Sequence, residues 1–179
     1  MTYDPDAYWL ERGRTYEARF RRTSAHAQQE TALLEVLGRL KFDSVLEVGA
    51  GFGRIGQLIA DAFPAASYVG VEPSPDLRAS SSNGDRRIVA SIEEAGEPVD
   101  LVIAVEVAMH QPPDRIEAFL EQLRRRSRRQ VVTVDWDQPL EAAIAEHNFL
   151  HDYARLLHTD RRYPANRRQG IWVARGLAR

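Results

Sequence analysis

The sequence has no cysteine among its 179 residues. Disulfide bonds, thiolate metal sites and a cysteine nucleophile are therefore excluded. It also has no apolar run near the roughly 20 residues that a helix needs to cross a bilayer. Residues 1–6 show no basic and apolar signal-peptide pattern. The sequence predicts a cytoplasmic protein without a membrane segment.

A strong excess of charge of one sign is absent too. The formal net charge is −2, so no global electrostatic attraction to nucleic acid is expected. Apolar residues make up 44% and charged residues 28% of the chain, values that are typical of a globular protein. Since the length suits one compact unit, we expect a single domain over residues 1–179.

The most informative stretch combines a strand, a glycine-rich turn and a helix. Val45–Val48 is a short apolar run that contains one acid, and it predicts a buried strand. Three glycines alternate after it, at positions 49, 51 and 53, where they let the backbone turn sharply and approach a ligand. Apolar residues at helical spacing follow from Ile55 onward. This order is typical of a nucleotide-cofactor site, because the new helix points free N–H groups at the turn.

Two ligand classes fit this turn. Residues 51–56 match the dinucleotide fingerprint G-x-G-x-x-G, which favours NAD. The longer string Glu47-x-Gly49-x-Gly51-x-Gly53 resembles motif I of the class I, Rossmann-like S-adenosylmethionine-dependent methyltransferases. The resemblance implies that S-adenosylmethionine is the cofactor, that S-adenosylhomocysteine is the product, and that Glu47 helps to hold the methionine part. An acid here suits a cationic amino-acid ligand and would repel a pyrophosphate.

A second acid, Glu72, closes the next predicted strand, residues 68–72. Its distance from the glycine turn matches the return along a helix to a neighbouring parallel strand, where an acid accepts hydrogen bonds from ribose hydroxyls. This position serves both ligand classes. In related methyltransferases the residues after the third strand flank the adenine, which implies this role for Ser91 and Ile92. The predicted cofactor-binding residues are Glu47, Gly49, Ala50, Gly51, Gly53, Glu72, Pro73, Ser91, Ile92 and Val105.

The alternation of strands and helices predicts an α/β fold, with a single doubly wound, mostly parallel sheet and helices on both faces. The family resemblance implies seven strands, or fewer if the sheet is abbreviated, and an antiparallel C-terminal edge. Residues 170–175 would form this edge with residues 161–164 as partner. Residues 1–40 are expected to form a helical cap on a core of residues 44–175.

Local signals predict where several connections begin and end. Ser74 and Asp152 are placed to cap helices, and residues 113–114 are placed to start another. A further helix is predicted over Pro139–Glu146. The segment 93–98 is too short for a crossover helix, so it predicts one helical turn or a loop.

Three side chains are candidates for catalysis. His110 follows the apolar strand 100–105 at its carboxyl end, the side where open parallel sheets bind ligands. It is either a general base or a residue that shapes the loop through hydrogen bonds. Tyr16, in a leading helix with Trp9, and His151 are candidates for the acceptor pocket. The alternative is that Trp9 and Tyr16 hold the helix against the core.

Two acids and three histidines invite a metal hypothesis. Asp135 and Asp137 stand after the fifth predicted strand, residues 130–134, where they could orient an acceptor, bind a metal or cap the chain. His147, His151 and His158 have helical spacing but no evident carboxylate ligands. The sequence therefore predicts no metal site.

The leading hypothesis is an S-adenosylmethionine-dependent methyltransferase that acts on a small molecule by in-line displacement. The chain lacks the [DNS]PP[YFW] string of amino-group DNA methyltransferases and the cysteine of the covalent route to cytosine C5. A nucleic-acid acceptor is therefore disfavoured. An NAD-dependent oxidoreductase and a non-catalytic cofactor-binding module with a partner subunit are the alternatives. A homodimer is compatible with this sequence.

Overall fold

The computed structural model describes residues 3–20, 26–81, 87–137 and 145–178. Within these ranges, no helix combines the length and the apolar character that crossing a membrane requires. Two single turns of 3-10 helix, Glu93–Ala95 and Ala108–His110, join the longer elements. The elements in chain order are α1 (Pro5–Phe20), α2 (Ala27–Leu37), β1 (Ser44–Val48), α3 (Arg54–Ala62), β2 (Ser67–Val71), α4 (Pro75–Ser80), β3 (Arg87–Val89), β4 (Val99–Val105), α5 (Ile116–Arg125), β5 (Ser127–Trp136), α6 (Tyr153–Leu157), β6 (Arg162–Pro164) and β7 (Gln169–Arg175).

The seven strands form one sheet in the spatial order β3-β2-β1-β4-β5-β7-β6. Strands β1 to β5 pair in parallel. Strand β7 runs antiparallel to both β5 and β6. The predicted seven-stranded, mostly parallel sheet with an antiparallel C-terminal end is therefore confirmed.

Hydrophobic layers cover both faces of the sheet, because successive residues of a strand point to opposite sides. On one face, Val45 of β1 belongs to a buried cluster with Leu33 of α2 and Ile59 of α3. On the other face, Leu46 belongs to a cluster with Leu120 of α5. Helices on both sides thus fix the strands, and the strand ends are held in a rigid frame.

The centre and the edges of the sheet differ in character. Strand β1 lies between β2 and β4, so the chain winds in opposite directions from it and leaves a crevice at the carboxyl ends of these strands. The two edge strands, β3 and β6, are three residues long each, and β6 ends in a proline. The crevice at the centre is where a ligand is expected.

Most predicted local signals agree with the structure. Ser74 caps α4 by accepting from the N–H of Leu77 at 3.4 Å. Asp152 caps α6 by accepting from the N–H of Arg155 at 3.1 Å. The short connection 93–98 holds one helical turn, as predicted. The predicted helix Pro139–Glu146 falls largely on residues 139–144, which lie outside the described residues.

Two predicted boundaries are wrong. Helix α5 begins at Ile116 rather than at 113–114, because the N–H groups of Arg115 and Ile116 both donate to the carbonyl of Pro112, at 2.9 and 3.0 Å. Strand β5 spans Ser127–Trp136 rather than residues 130–134, so Asp135 belongs to the strand and does not follow it. At the start of β5 the Ser127 hydroxyl donates to the carbonyl of Asp100 at 3.1 Å, which extends the pairing with β4.

Candidate active site

A cavity of about 810 Å³ opens at the carboxyl ends of β1 to β4. Strand ends and the loops after them form one half of its wall, and α1 with residues 107–119 forms the other half. Helix α1 thus lies over the crevice, with Pro5, Trp9 and Tyr16 in its wall. The polar or aromatic residues that face it include Trp9, Tyr16, Glu72, Ser91, Glu93, Glu106, His110, Gln111, Asp114 and Arg115.

The glycine turn forms the floor of the first half. The φ angles of Gly49, Gly51 and Gly53 are +80°, +56° and +89°, a region that favours glycine. The N–H groups of Gly49 and Ala50 donate to the carbonyl of Val71 at 2.8 and 2.9 Å, which ties the turn to β2. A Cβ atom on Gly51 would have no neighbour within 4 Å. The turn therefore presents bare backbone to the cavity.

Glu72 links the glycine turn to the loop after β2. One carboxylate oxygen accepts from the N–H of Gly51 and the other from the N–H of Ser74, both at 2.8 Å. Only 5% of the residue is exposed, and burial raises the pKa of its carboxyl group. Each oxygen of a carboxylate has a second acceptor direction. Glu72 faces the cavity with acceptors that ligand hydroxyls can reach.

Glu47 faces a smaller cavity of about 50 Å³ that adjoins the large one, since Gly49, Gly51 and Glu106 line both. It is almost fully buried, and its carboxylate accepts a hydrogen bond from the hydroxyl of Tyr68. Ala50, Gly49 and Gly51 line this small cavity too. The acid at the end of β1 is therefore held in place by a neighbour on β2.

Glu106 is a site residue that the sequence analysis missed. It lies between the two cavities and lines both. Its φ angle is +57°, an unusual value for a residue with a side chain. Gln169 donates to its carboxylate at 2.7 Å. Backbone strain of this kind is often kept at functional sites, and the position directly after β4 is the signal that could have found it.

Two nitrogen-bearing side chains, a guanidinium group and an imidazole, approach the second carboxylate oxygen of Glu106. Arg54 lies 3.7 Å and His26 lies 3.8 Å from it. The same guanidinium group donates to Glu30 at 2.8 Å and to Gln29 at 3.1 Å. Residues of α2, α3 and β4 thus place both signs of charge beside the glycine turn.

His110 also lines the large cavity and is buried, with 7% exposed. Its Nδ1 is 2.9 Å from the carbonyl oxygen of His147. Since a carbonyl only accepts, Nδ1 carries the proton and Nε2 carries the lone pair. Burial lowers the pKa of His110 to about 4. The imidazole is therefore neutral at physiological pH.

Two aromatic side chains of α1, Trp9 and Tyr16, line the cavity near His110. The ring centroid of Trp9 is 4.6 Å from that of His110, and the ring of Tyr16 stands edge-on to Trp9 at 5.5 Å. Burial and, to a smaller extent, Glu106 raise the pKa of Tyr16 to about 12. The phenol therefore keeps its proton at neutral pH and acts as a hydrogen-bond donor or acceptor, not as a base.

The sequence comparison identifies the central part of the chain. Residues 46–132 match the model of a family described as a methyltransferase domain, and they include the glycine turn, Glu72 and His110. This part of the chain is a methyltransferase domain, and its fold is that of class I S-adenosylmethionine-dependent methyltransferases. No protein of curated function matches the chain in sequence.

Solved structures share the fold of this methyltransferase domain. Magnesium protoporphyrin IX methyltransferase from Synechocystis PCC 6803, with bound SAM, superposes with a TM-score of 0.74 at 17% identity, over 98% of this chain and 99% of that chain. The 1,6-didemethyltoxoflavin-N1-methyltransferase of Burkholderia thailandensis superposes with a TM-score of 0.69 at 18% identity, over 96% and 86% of the two chains. At such identities the likeness establishes the architecture.

The predicted cofactor-binding residues fall into three groups in the methyltransferase domain. Glu47 and Ala50 line only the small cavity. Gly53 is the N-cap of α3 and faces neither cavity. The remaining residues line the large cavity, and they are Gly49, Gly51, Glu72, Pro73, Ser91, Ile92 and Val105.

His151 occupies a different place from the other two catalytic candidates. It is not among the described residues that line the large cavity. Its Nε2 is 3.0 Å from the carbonyl oxygen of Gln111 and donates to it. His151 therefore stabilises the loop next to His110 through this hydrogen bond, whereas Tyr16 and His110 line the cavity themselves.

The two acids at the carboxyl end of β5 have structural partners, Asp135 within the strand and Asp137 directly after it. Asp135 is fully buried and accepts from the N–H of Met109 at 3.0 Å. Burial raises the pKa of Asp135 to about 7. Asp137 forms a two-point ion pair with Arg162, at 2.6 and 3.1 Å. The described part of the chain contains no group of three or more metal-ligating side chains.

Proposed function

We propose that this chain transfers a methyl group from S-adenosylmethionine to a small-molecule acceptor by in-line displacement. The observation that carries the proposal is the single cavity that joins the carboxyl ends of β1 to β4 to the aromatic cover from α1. Its volume of about 810 Å³ lies in the upper part of the range of small-ligand sites. It is large enough to hold a cofactor together with a modest acceptor.

The residues of the first half fit the cofactor. The open space above Gly51 receives a ligand at van der Waals distance, and the two oxygens of Glu72 are acceptors for the ribose hydroxyls. Ser91 and Ile92 line the cavity, and they would offer the adenine a polar group and an apolar face. These contacts would position the nucleoside.

The charges around the small cavity fit the amino-acid end of the cofactor. Glu47 and Glu106 suit its ammonium group, while Arg54 and His26 suit its carboxylate. Two carboxylates, one guanidinium group and one imidazole offer partners for both ends of a zwitterion. A pyrophosphate would meet one buried and one partly buried carboxylate here, so the charges favour S-adenosylmethionine over NAD.

The chemistry needs more positioning than acid or base assistance. When bound, S-adenosylmethionine supplies an electrophilic methyl group on a positively charged sulfur. The cavity walls hold the acceptor in one orientation, and such positioning supplies roughly 7–11 kcal/mol in favourable cases. The neutral His110 accepts a proton from the acceptor nitrogen or oxygen. Tyr16, with its proton retained, orients the acceptor by hydrogen bonding.

Calorimetry with S-adenosylhomocysteine and with NADH tests the proposal. We expect S-adenosylhomocysteine to bind, and NADH to bind more weakly or not at all. Incubation with methyl-labelled S-adenosylmethionine and a panel of acceptors should then show label in a small molecule by mass spectrometry. Tighter binding of NADH would overturn the proposal, and cofactor binding without transfer to any acceptor would favour a non-catalytic module.

A further inference from the structure

The second half of the cavity offers flat apolar surfaces. Pro5 and Trp9 of α1 line it together with His110. The rings of Trp9 and His110 are 4.6 Å apart at their centroids, with an angle of 55° between the ring planes. Aromatic walls gain most from a planar partner, which offers both area and ring–ring contact. The geometry of this half favours an acceptor with an aromatic ring.

The charges around the cavity are mostly negative. Among the described lining residues, four carboxylates stand against one guanidinium group, that of Arg115. Arg115 is half exposed at the mouth, and its Nη1 lies 3.5 Å from a carboxylate oxygen of Asp4. An anionic acceptor would thus meet like charges and a cation that already has a partner. The four carboxylates are Glu72, Glu93, Glu106 and Asp114.

The available base further restricts the acceptor. His110 is a weak base, because burial lowers its pKa to about 4. A phenol or an alcohol must lose its proton to become a strong nucleophile, and its anion needs a cation nearby. A neutral amine already has the lone pair that attacks, and it loses its proton only after the new bond forms. The weak base and the negative field both favour nitrogen.

On the basis of the proposed function, we propose that the acceptor is a small aromatic amine or nitrogen heterocycle that carries no phosphate or carboxylate group. Its ring stacks against Trp9 and its nitrogen lies beside His110. The nitrogen lone pair forms the bond to the methyl carbon, and the carbon–sulfur bond breaks with its electron pair left on sulfur. The proton released from nitrogen passes to the free ring nitrogen of His110 and then to water.

Three ligands on the same ring skeleton test this inference. 1-Naphthylamine, 1-naphthol and 1-naphthoic acid are titrated by calorimetry into the protein saturated with S-adenosylhomocysteine. We expect the amine to bind at least about tenfold more tightly than the acid, since like charges in a desolvated site are costly. With methyl-labelled S-adenosylmethionine, we expect the label on the amine and not on the naphthol.

Substitutions of the aromatic wall residue Trp9, and of two carboxylates that line the cavity, test the inference further with matched controls. Trp9→Ala should weaken binding of the amine by about tenfold, whereas Trp9→Phe should keep most of it. The affinity for S-adenosylhomocysteine, measured in parallel, should stay unchanged in both variants. The double change Glu93→Gln with Asp114→Asn, in a protein that keeps Trp9, should reduce the difference in affinity between the amine and the acid.

Three results would overturn the inference: equal or tighter binding of the acid, preferred methylation of the naphthol, or no binding of any of the three ligands. Its failure can be told apart from failure of the proposed function. If S-adenosylhomocysteine itself does not bind, the proposed function is wrong. If it binds and the preference for the amine is missing, only the identity of the acceptor is wrong.

Discussion

Among single side chains, Glu72 presents two fixed carboxylate oxygens at the large cavity. Its two oxygens are held by the N–H groups of Gly51 and Ser74, so they stand ready at fixed positions. We predict that Glu72→Ala weakens binding of S-adenosylhomocysteine by about 1.5–3 kcal/mol, the usual contribution of hydrogen bonds to a charged group. Calorimetry measures this loss.

The same change also removes the two backbone hydrogen bonds, so folding has to be checked. Glu72→Gln keeps one acceptor oxygen and should lie between the wild type and Glu72→Ala in affinity. Glu97→Ala, at an exposed position, serves as the control and should bind normally. Wild-type affinity of a folded Glu72→Ala protein would remove Glu72 from the cofactor site.

His110 leads to a prediction about the pH dependence of catalysis. Because its pKa is lowered to about 4 by burial, the imidazole stays neutral from pH 8 down to about pH 5. We expect kcat/KM to show no loss from His110 over that range, and a decline only as the pH approaches 4. A decline centred near pH 6.5 that disappears in His110→Gln would contradict this prediction.

Asp135 leads to a prediction about stability. Its pKa is about 7 in the folded protein and about 3.9 in an unfolded chain, so the folded state binds more protons between these values. Its contribution to stability is therefore present at low pH and is lost as the pH rises through 7. Asp135→Asn should gain stability relative to the wild type between pH 5 and pH 8, by about 2–3 kcal/mol.

Urea unfolding of both proteins at pH 5 and pH 8 tests the Asp135 prediction, because the difference between them cancels the other titrating groups. The asparagine can still accept from the N–H of Met109, so the turn at residues 108–110 should persist. If Asp135→Asn is destabilised by the same amount at both pH values, the charged carboxylate is needed and the expected sign is wrong.

Among the helices, α1 packs very closely against the start of α4 at one residue, Gly13. A Cβ atom on Gly13 would lie 2.1 Å from the Oγ and 2.8 Å from the Cβ of Ser74, at the start of α4. We predict that Gly13→Ala pushes α1 away from α4 at a cost of about 1–3 kcal/mol. Because α1 covers the cavity, S-adenosylhomocysteine should bind more weakly, and trypsin should cleave faster at Arg12.

A second substitution can restore the space. Ser74→Gly removes the Cβ and Oγ atoms that meet the new methyl group, and glycine costs only a few tenths of a kcal/mol as a helix cap. The double variant should therefore recover slow cleavage by trypsin and most of the affinity. If Gly13→Ala alone behaves like the wild type, α1 is not held by this contact.

The helices and strands also show what can be predicted from local sequence. The unit of β1, glycine turn and α3 was predictable, because the glycine positions and the apolar spacing are local properties. The start of α5 was not, since residues 113–114 have the composition of a helix start while the chain turns around the carbonyl of Pro112. The first residues of β5 were missed because their strand state depends on pairing with β4.

The residues of the site also divide into those that local sequence predicts and those whose role depends on the folded chain. The end of each strand and the order of strands place Gly51, Glu72 and His110 in one crevice, and these were predicted. Glu106 was missed, since its role depends on a left-handed backbone and on contacts with Arg54 and Gln169, far away in sequence. The direction in which His151 points depends equally on the folded loop.

For the protein as a whole, the cofactor should act as a stabiliser. A ligand that binds only the folded state adds about 2.7 kcal/mol when present at 100 times its Kd. For a chain of this length that corresponds to a rise in Tm of roughly 5–11 °C. Thermal unfolding with S-adenosylhomocysteine should show this shift, and NADH at the same concentration should not. Equal shifts with both ligands would mean that the site does not discriminate between them.

The two short edge strands affect how molecules of this protein meet in a crowded solution. An exposed edge is a template on which a second chain can add a strand and start an aggregate. Here each edge offers only three residues, and on β6 one of them is Pro164, which has no N–H group to donate. A dimer built by continuing the sheet from one copy to the next is therefore disfavoured. If copies associate, they should do so through helices, and concentrated samples should resist fibril formation.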